Sequence, residues 1–223
     1  MAAIKPIILY GSAEGLSPWK VVIIINELNI PYKLELLSSE DMAKPEYQKI
    51  CANGRVPAIE DPNTGVTLWE SGAVIEYLVE TYDKEHSLNY ASSERFQVKQ
   101  WLHFHVTGQA PSHGEAWFYK QNPGEGEKAM KRYQDEVVRV VSVLDKALGG
   151  REYLVGDKCT LADLAFVPWA SLIPYIFGEE VTLASLQLEE KYPAYSAWYK
   201  ATSNRPSVQK MFKDSQAAMA AAA

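Results

Sequence analysis

The residues best suited to binding an amino-acid ligand are Glu70 and Ser71, which lie between a predicted strand and a predicted helix. A serine at such a junction can cap the helix, which is its ordinary structural role. A helix N-terminus also offers free amides and a positive dipole end to an anion. Ser71 is therefore a candidate partner for a ligand carboxylate, and Glu70 for a ligand ammonium.

A second motif is Arg55-Val56-Pro57, directly ahead of a predicted strand. Because proline has no amide to donate, Val56 is expected at a sheet edge or a strand start. A cis Val56–Pro57 bond would turn the amide and carbonyl of Val56 toward solvent, where an extended peptide could add as a further strand. General frequencies favour an ordinary trans bond.

The third motif is a capping box formed by Thr160 and Asp163, with Asp in the place of the usual Glu or Gln. The residues that follow, Leu164 to Trp169, are apolar nearly all round. We therefore expect a central buried helix, and the role of this motif is structural.

The elements that position these residues fall into two groups. The first group follows the order β-α-β-x-β-β-α. Its predicted strands are 6–10, 32–36, 55–60 and 66–69, and a loop around Pro45 stands in the place marked x. Its predicted helices are one opened by Ser17-Pro18, which contains the buried run 21–25, and one at 73–82. The second group is helical, with helices from about 94 past 109, 127–148, from 160, 194–202 and from 207. The polar stretch between them predicts a domain at 1–84, a linker at 85–93 and an all-helical domain at 94–223.

Composition excludes several classes of protein. The 223 residues are 47% hydrophobic and 22% charged, which excludes wholesale disorder, and the net charge of −6 provides no basic footprint for nucleic acid. The longest aliphatic run, Val21 to Ile25, is too short to span a membrane, and no signal or transit peptide is recognisable. The two cysteines, Cys51 and Cys159, form no C-x-x-C motif and are too few for a disulfide framework, so we expect a cytoplasmic protein. Because His103 and His105 do not share a helical face, we expect no metal site.

Taken together, and in the chain order Val-Pro, Glu-Ser and Thr-x-x-Asp, the three motifs resemble those of the cytosolic glutathione S-transferases. The resemblance covers the whole chain and implies a thioredoxin-like α/β N-terminal domain followed by an all-α C-terminal domain. Longer segments resemble the fungal branch related to the yeast prion-forming nitrogen regulator, namely Asn53–Ala58, Trp69–Ala73, Gly108–Pro111, Leu154–Lys158 and Thr160–Trp169.

The resemblance implies a glutathione site. The backbone of Val56 beside Pro57 would pair with the cysteinyl residue, and Glu70 and Ser71 would hold the γ-glutamyl ammonium and carboxylate. Arg55 would reach a carboxylate, because a guanidinium suits that geometry. Ser17 best matches the residue that faces the sulfur, although it is equally a plain helix cap before Pro18. Tyr10 and Ser12 are the alternative thiol contacts.

Two positions depart from the family pattern. Met42 stands where the family commonly has a residue that contacts the glycyl carboxylate, so Lys44 is the substitute that we expect. Cys51-Ala52 stands where the related branch often has Asn-Pro. We expect Cys51 to be a buried apolar residue rather than a nucleophile.

The resemblance also implies a pocket for an apolar electrophile, between the loop of the first helix and the long helix after the linker. Aromatic residues at helical spacing more often belong to a core than to a pocket. The candidates are Trp101, Phe104, His105, Gln109, Ser112, His113 and Trp117.

Three functions follow from the resemblance. The leading one is a glutathione-dependent homodimeric enzyme that offers the thiolate to an electrophile, with a tailoring role in fungal secondary metabolism as one form of it. A glutathione-dependent cis-trans isomerase is the first alternative. A non-enzymatic protein like the nitrogen regulator is the second, less favoured because the sequence begins at its first predicted strand, without an Asn/Gln-rich extension.

Overall fold

The computed structural model describes residues 3–178 and 187–222. These form two compact units that divide between Ser87 and Leu88, and the chain from Arg205 onward returns to the first unit. The elements are β1 (Ile7–Gly11), α1 (Leu16–Glu27), β2 (Tyr32–Leu36), α2 (Ser39–Met42), α3 (Pro45–Gln48), β3 (Ala58–Asp61), β4 (Val66–Trp69), α4 (Ser71–Tyr82), α5 (Glu94–Phe104), a π-helix (His105–Gln109), α6 (Ala110–Gln121), a 3₁₀ turn (Pro123–Glu125), α7 (Glu127–Ala147), α8 (Leu161–Ala170), α9 (Ile173–Phe177), α10 (Leu188–Lys191), α11 (Pro193–Ser203) and α12 (Pro206–Ala222).

The first unit is built on a four-stranded mixed sheet in the order β2-β1-β3-β4. Strand β1 pairs in parallel with β2, with Leu9 opposite Leu34, and antiparallel with β3, with Leu9 opposite Ile59. The β3–β4 hairpin completes the sheet. This β-α-β and β-β-α arrangement confirms the predicted thioredoxin-like fold.

Helix α1 contains the β-branched run that local propensity alone would assign to a strand. Its residues Val21 to Ile25 are all completely buried. A helix that is apolar on every side is stable only inside a core, where packing outweighs propensity. The prediction of a buried helix over this run is confirmed.

The helix starts differ from the prediction at both candidate serines. Helix α1 is capped by the extended residue Gly15, so Ser17 lies inside its first turn. Helix α4 is preceded by Glu70, and Ser71 is already its first residue. Neither helix has a side-chain cap, so the capping role predicted for Ser17 and Ser71 is wrong.

The segment predicted as a loop around Pro45 contains α2 and α3. Ser38 and Asp41 form a reciprocal capping box for α2, and Pro45 occupies the first turn of α3, where its missing amide costs nothing. In the second unit, the π-helix interrupts the predicted long helix, and α9 and α10 were not predicted. Single-turn elements of this kind carry too few residues for a periodic signal.

The return of the chain to the first unit is fixed by Glu27 at the end of α1. Arg205 donates two hydrogen bonds to its carboxylate, at 2.8 and 2.7 Å, and Ser207 donates a third. Burial opposes ionisation of Glu27, but these hydrogen bonds outweigh it and lower its pKa. Helix α12 therefore packs on α1, whereas the sequence assigned it to the helical domain.

The second unit is organised around the buried carboxylate of Asp163. It accepts hydrogen bonds from the Thr160 amide and hydroxyl, both at 2.8 Å, which confirms the capping box. It also accepts from the Leu154 amide and from Trp198 Nε1, both at 2.9 Å. Burial raises the pKa of Asp163, and the four donors act in the opposite direction. One side chain thus joins the start of α8 to α11 and to the preceding loop.

Candidate functional site

A cavity of about 200 Å³ in the first unit brings most of the predicted glutathione contacts together. It lies where the first turn of α1, the loop before β3 and the start of α4 meet. Its lining residues are Ser17, Cys51, Asn53, Arg55, Val56, Pro57, Trp69, Glu70 and Ser71.

Ser17 reaches this cavity from the N-terminal turn of α1, where it is half-buried. Because Gly15 and not Ser17 precedes the helix, the Ser17 hydroxyl is not used to cap it. The loop before α1 is held by a 3.0 Å hydrogen bond from Trp19 Nε1 to the Ala13 carbonyl. A hydroxyl on the first turn of a helix can donate to an anion that the helix N-terminus also favours.

Val56 is positioned by a tight turn that ends in a cis Val56–Pro57 peptide bond, in contrast to the trans bond that frequencies favour. Gly54 has φ +60°, a conformation that suits glycine, and its amide donates to the Cys51 carbonyl at 2.9 Å. Tyr47 Oη donates to the Arg55 carbonyl at 2.7 Å. The turn therefore holds the Arg55 and Val56 backbone against the cavity.

Cys51 is 1% exposed and packs with Tyr47 and Ala58, which confirms that it is a buried residue. It nevertheless contributes to the cavity lining.

Glu70 and Ser71 form the opposite wall. Glu70 has φ +68°, which is unfavourable for a residue with a side chain, and such strain concentrates at functional sites. Ser71 is 8% exposed and begins the 12-residue helix α4, whose first amides have no side-chain cap. This wall presents an anion-binding helix end next to an exposed carboxylate.

The remaining predicted glutathione contacts do not line this cavity. Lys44 is exposed and bonds Asp41 at 2.6 Å, an interaction that raises the pKa of Lys44 and lowers that of Asp41. Tyr10 donates to Glu60 at 2.6 Å, and burial together with that carboxylate raises the pKa of Tyr10 to about 12. Neither side chain, nor Ser12, belongs to the lining.

A larger groove of about 670 Å³ in the same unit is formed by the end of α1 and the start of α12. Its charged side chains already have ion-pair partners: Arg205 pairs with Glu27 inside the groove, and Lys210 pairs with Asp214, which does not line it. None of the predicted site residues lines it. The 200 Å³ cavity, which contains the predicted contacts for a ligand carboxylate and ammonium, is therefore a better candidate site than this larger groove.

The predicted contacts of the electrophile lie in the second unit, but they do not share one cavity there. Phe104 and Ser112 line a groove of about 550 Å³ together with residues of α7 such as Arg132 and Arg139. Trp117 is half-buried and packs edge-on against Tyr175, with the ring centroids 6.2 Å apart.

The other predicted members are part of the helical core. His105 Nδ1 lies 2.7 Å from Gln109 Oε1, and Gln109 Nε2 donates to the Phe166 carbonyl at 3.1 Å. His113 is fully buried, and burial lowers its pKa to about 3, so that it is neutral at physiological pH. The structure thus does not bring the predicted set into one cavity within this unit.

Asn53 and Trp69 are cavity residues that the sequence reasoning did not assign to the site. Both directly adjoin residues that it did assign, since Asn53 opens the turn before Arg55 and Trp69 precedes Glu70. Their position next to these motifs is the sequence feature that could have assigned them to the site.

Within residues 3–178 and 187–222, no three His, Cys, Asp or Glu side chains are grouped so that they could hold a metal ion. In the same ranges no helix has the length and apolar character needed to cross a membrane.

Comparison with known proteins agrees with this fold. Residues 16–81 match the family model of the glutathione S-transferase N-terminal domain, and residues 109–206 match that of the C-terminal domain. The chain is 39% identical to the glutathione S-transferase-like protein tpcF of Aspergillus fumigatus, over 96% of this chain and 98% of the relative. It is 35% identical to glutathione S-transferase 2 of Schizosaccharomyces pombe, over 92% and 94%.

Solved structures with a similar fold include a glutathione transferase and Ure2p. The glutathione transferase URE2P6 from Phanerochaete chrysosporium, in complex with oxidized glutathione, superposes with a TM-score of 0.88 at 35% identity, over 96% of this chain and 98% of that one. Ure2p in complex with S-hexylglutathione gives 0.82 at 29% identity, over 94% and 99%.

A thioredoxin-like first unit joined to a helical second unit is the fold of the glutathione transferases. The chain belongs to the glutathione S-transferase family, among its fungal Ure2-type members. Glutathione is the cosubstrate of this family.

Proposed function

We propose that the cavity of the first unit binds glutathione and activates its thiol toward an apolar electrophile. The observation that carries this proposal is the meeting of Ser17, Val56 and the Glu70–Ser71 pair around one cavity. In this arrangement Val56 pairs with the cysteinyl backbone, and Ser71 and Glu70 hold the γ-glutamyl carboxylate and ammonium. Arg55 attracts a carboxylate of the tripeptide.

Thiol activation follows from the place of Ser17. A hydroxyl donor on the first turn of α1 and the positive end of that helix both stabilise a thiolate relative to a thiol. The thiolate then attacks an electrophilic carbon, and the new thioether is the product. Phe104 and Trp117 are the candidate contacts of the second substrate in the helical unit.

We further propose that the protein is cytoplasmic and serves secondary metabolism. Support comes from the resemblance of the sequence to the fungal branch, some of whose members act in such pathways. Deletion of the gene, followed by profiling of small molecules, tests this role: accumulation of an electrophilic intermediate supports it, and an unchanged profile contradicts it.

The reaction itself is tested by stoichiometry. With an aryl halide as a generic electrophile, we expect one glutathione consumed for each thioether formed. Turnover of a cis-configured conjugated substrate without glutathione consumption would establish the isomerase alternative instead. If calorimetry showed no heat on addition of glutathione while a transcription factor co-purified, the protein would be a binding regulator.

We also propose a homodimer, because soluble oligomers are most often two-fold symmetric and the family resemblance implies this state. Two chains of 25.0 kDa give a particle of about 50 kDa. Light scattering at micromolar concentration measures this mass directly. A mass near that of one chain would contradict the dimer without affecting the assignment of the glutathione cavity.

A further inference from the structure

Asn53 and Arg55 line the cavity of the first unit from one turn, and both residues are exposed. Within residues 3–178 and 187–222, neither side chain takes part in a hydrogen bond or an ion pair. An asparagine amide can donate two hydrogen bonds, and a guanidinium can donate five. The donors of both side chains are therefore available to a ligand in this cavity.

The turn that carries these two side chains is fixed from several directions. The Gly54 amide donates to the Cys51 carbonyl at 2.9 Å, and Tyr47 Oη donates to the Arg55 carbonyl at 2.7 Å. A Cβ placed on Gly54 would lie 3.5 Å from the Met42 carbonyl oxygen, so the turn packs on the end of α2. A ligand that binds here therefore has to order two side chains but no backbone.

The register of the β3–β4 hairpin gives the direction in which a bound peptide runs. Ala58 stands opposite Trp69. Two residues further along this antiparallel register, Val56 stands opposite Ser71, so the proposed γ-glutamyl contacts lie on the β4 side of Val56. Strands β1 and β2 lie on the other side of β3, and β2 leads into α2. A tripeptide that begins at Ser71 and pairs with Val56 therefore extends its third residue toward the turn that packs on α2.

The charges of the cavity also leave one group of glutathione for this turn. Besides its thiol, glutathione carries two carboxylates and one ammonium, and Glu70 with Ser71 suits the ammonium and carboxylate of the γ-glutamyl residue. Among the cavity-lining residues in the described part of the chain, Arg55 is the single cation. Lys44, the partner expected from the sequence, lies outside the lining and is already in an ion pair. The turn that carries Arg55 is therefore the place for the glycyl carboxylate.

We propose that Asn53 is a specificity-determining residue, which donates a hydrogen bond to the glycyl carboxylate of glutathione beside the charge of Arg55. The two oxygens of a carboxylate can accept from an amide and a guanidinium at once, and hydrogen bonds to a charged group are stronger than neutral ones. The site therefore distinguishes glutathione from γ-glutamyl-cysteinyl compounds that lack the terminal carboxylate. This inference rests on the proposed function, since it requires glutathione in the cavity.

The test compares two ligands on wild type and on Asn53→Ala by calorimetry. One ligand is S-methylglutathione. The other is S-methyl-γ-glutamylcysteine ethylamide, in which a methyl group replaces the glycyl carboxylate and the rest of the molecule is the same. We expect Asn53→Ala to weaken binding of S-methylglutathione roughly tenfold, the low end for a hydrogen bond to a charged group, because Asn53 is exposed. Its affinity for the ethylamide should change by no more than about twofold.

Two further variants separate recognition of the carboxylate from a change in the turn. Asn53→Asp places a negative charge beside the glycyl carboxylate, so it should weaken S-methylglutathione binding at least as much as Asn53→Ala and leave the ethylamide nearly unaffected. Asn204→Ala is the matched control, since Asn204 is an exposed asparagine at the end of α11 that does not line the cavity. It should bind both ligands as wild type does.

The outcomes distinguish this inference from the function on which it rests. Equal weakening of both ligands by Asn53→Ala would show that Asn53 only shapes the turn, and unchanged affinity for S-methylglutathione would remove Asn53 from the site. Either result overturns the inference. A wild-type protein that binds both ligands equally well would also overturn it, because the glycyl carboxylate would then go unrecognised, while the proposed glutathione cavity would stand. A wild-type protein that binds neither ligand would instead overturn the proposed function, and this inference with it.

Discussion

Ser71→Ala is expected to weaken glutathione binding by roughly 10- to 150-fold, because one hydrogen bond to a charged group contributes about 1.5–3 kcal/mol. The lost bond is to the γ-glutamyl carboxylate, which is remote from the sulfur. Substrate and transition state therefore lose the same interaction, so the Michaelis constant for glutathione rises while turnover changes little. Calorimetry with S-methylglutathione measures the affinity, and steady-state kinetics separate the two constants.

The structure removes one complication from this experiment. Because Ser71 makes no capping hydrogen bond to α4, its substitution by alanine, a better helix former, should barely change the free energy of unfolding. Ser93→Ala is the matched control, since Ser93 directly precedes helix α5, makes no capping hydrogen bond to it and is exposed. A Ser71 variant that binds glutathione as well as wild type would remove Ser71 from the site.

The parts of the fold that sequence could predict are those with local causes. The capping box of Thr160 and Asp163 needs only two residues three positions apart. The helix over Val21 to Ile25 follows from its flanking residues and length. The start of strand β3 directly after Pro57 follows from the missing amide of that proline.

The parts that sequence could not predict depend on distant partners. Arg205 meets Glu27 across 178 positions, and without that contact α12 reads as one more helix of the helical unit. Trp198 donates to Asp163 across 35 positions. No local pattern reports which of several charged or polar residues will pair at such separation.

The same distinction between local and distant causes applies to the candidate site. Ser17, Val56 and Ser71 each belong to a short motif, and the structure brings them around one cavity. The burial of Lys20, which is 1% exposed, could not be predicted, because a lysine beside an apolar run normally extends its charged head to solvent. His105 and His113 have the residue types of a pocket, but helical packing turns them into the core.

Ser17→Ala is expected to lower the reaction rate and to leave the affinity for glutathione nearly unchanged. If the Ser17 hydroxyl donates to the thiolate, its removal costs about 1.5–3 kcal/mol of thiolate stabilisation, which raises the pKa of the bound thiol by roughly 1 to 2. Below that pKa each increment of one reduces the thiolate fraction tenfold, so activity at neutral pH should fall roughly 10- to 150-fold. The Michaelis constant for glutathione should stay nearly constant.

The pH–rate profile separates this mechanism from its competitors. A higher thiol pKa moves the rising limb of the profile toward alkaline pH, and the variant should approach the wild-type rate once both thiols are ionised. A uniform loss of rate at every pH would instead indicate misplaced glutathione. Full activity of Ser17→Ala at neutral pH would assign the thiol contact to Ser12, to Tyr10 or to a backbone amide. Ser12→Ala and Tyr10→Phe then distinguish these, and we expect Tyr10→Phe to be silent, because the Tyr10 hydroxyl already donates to Glu60.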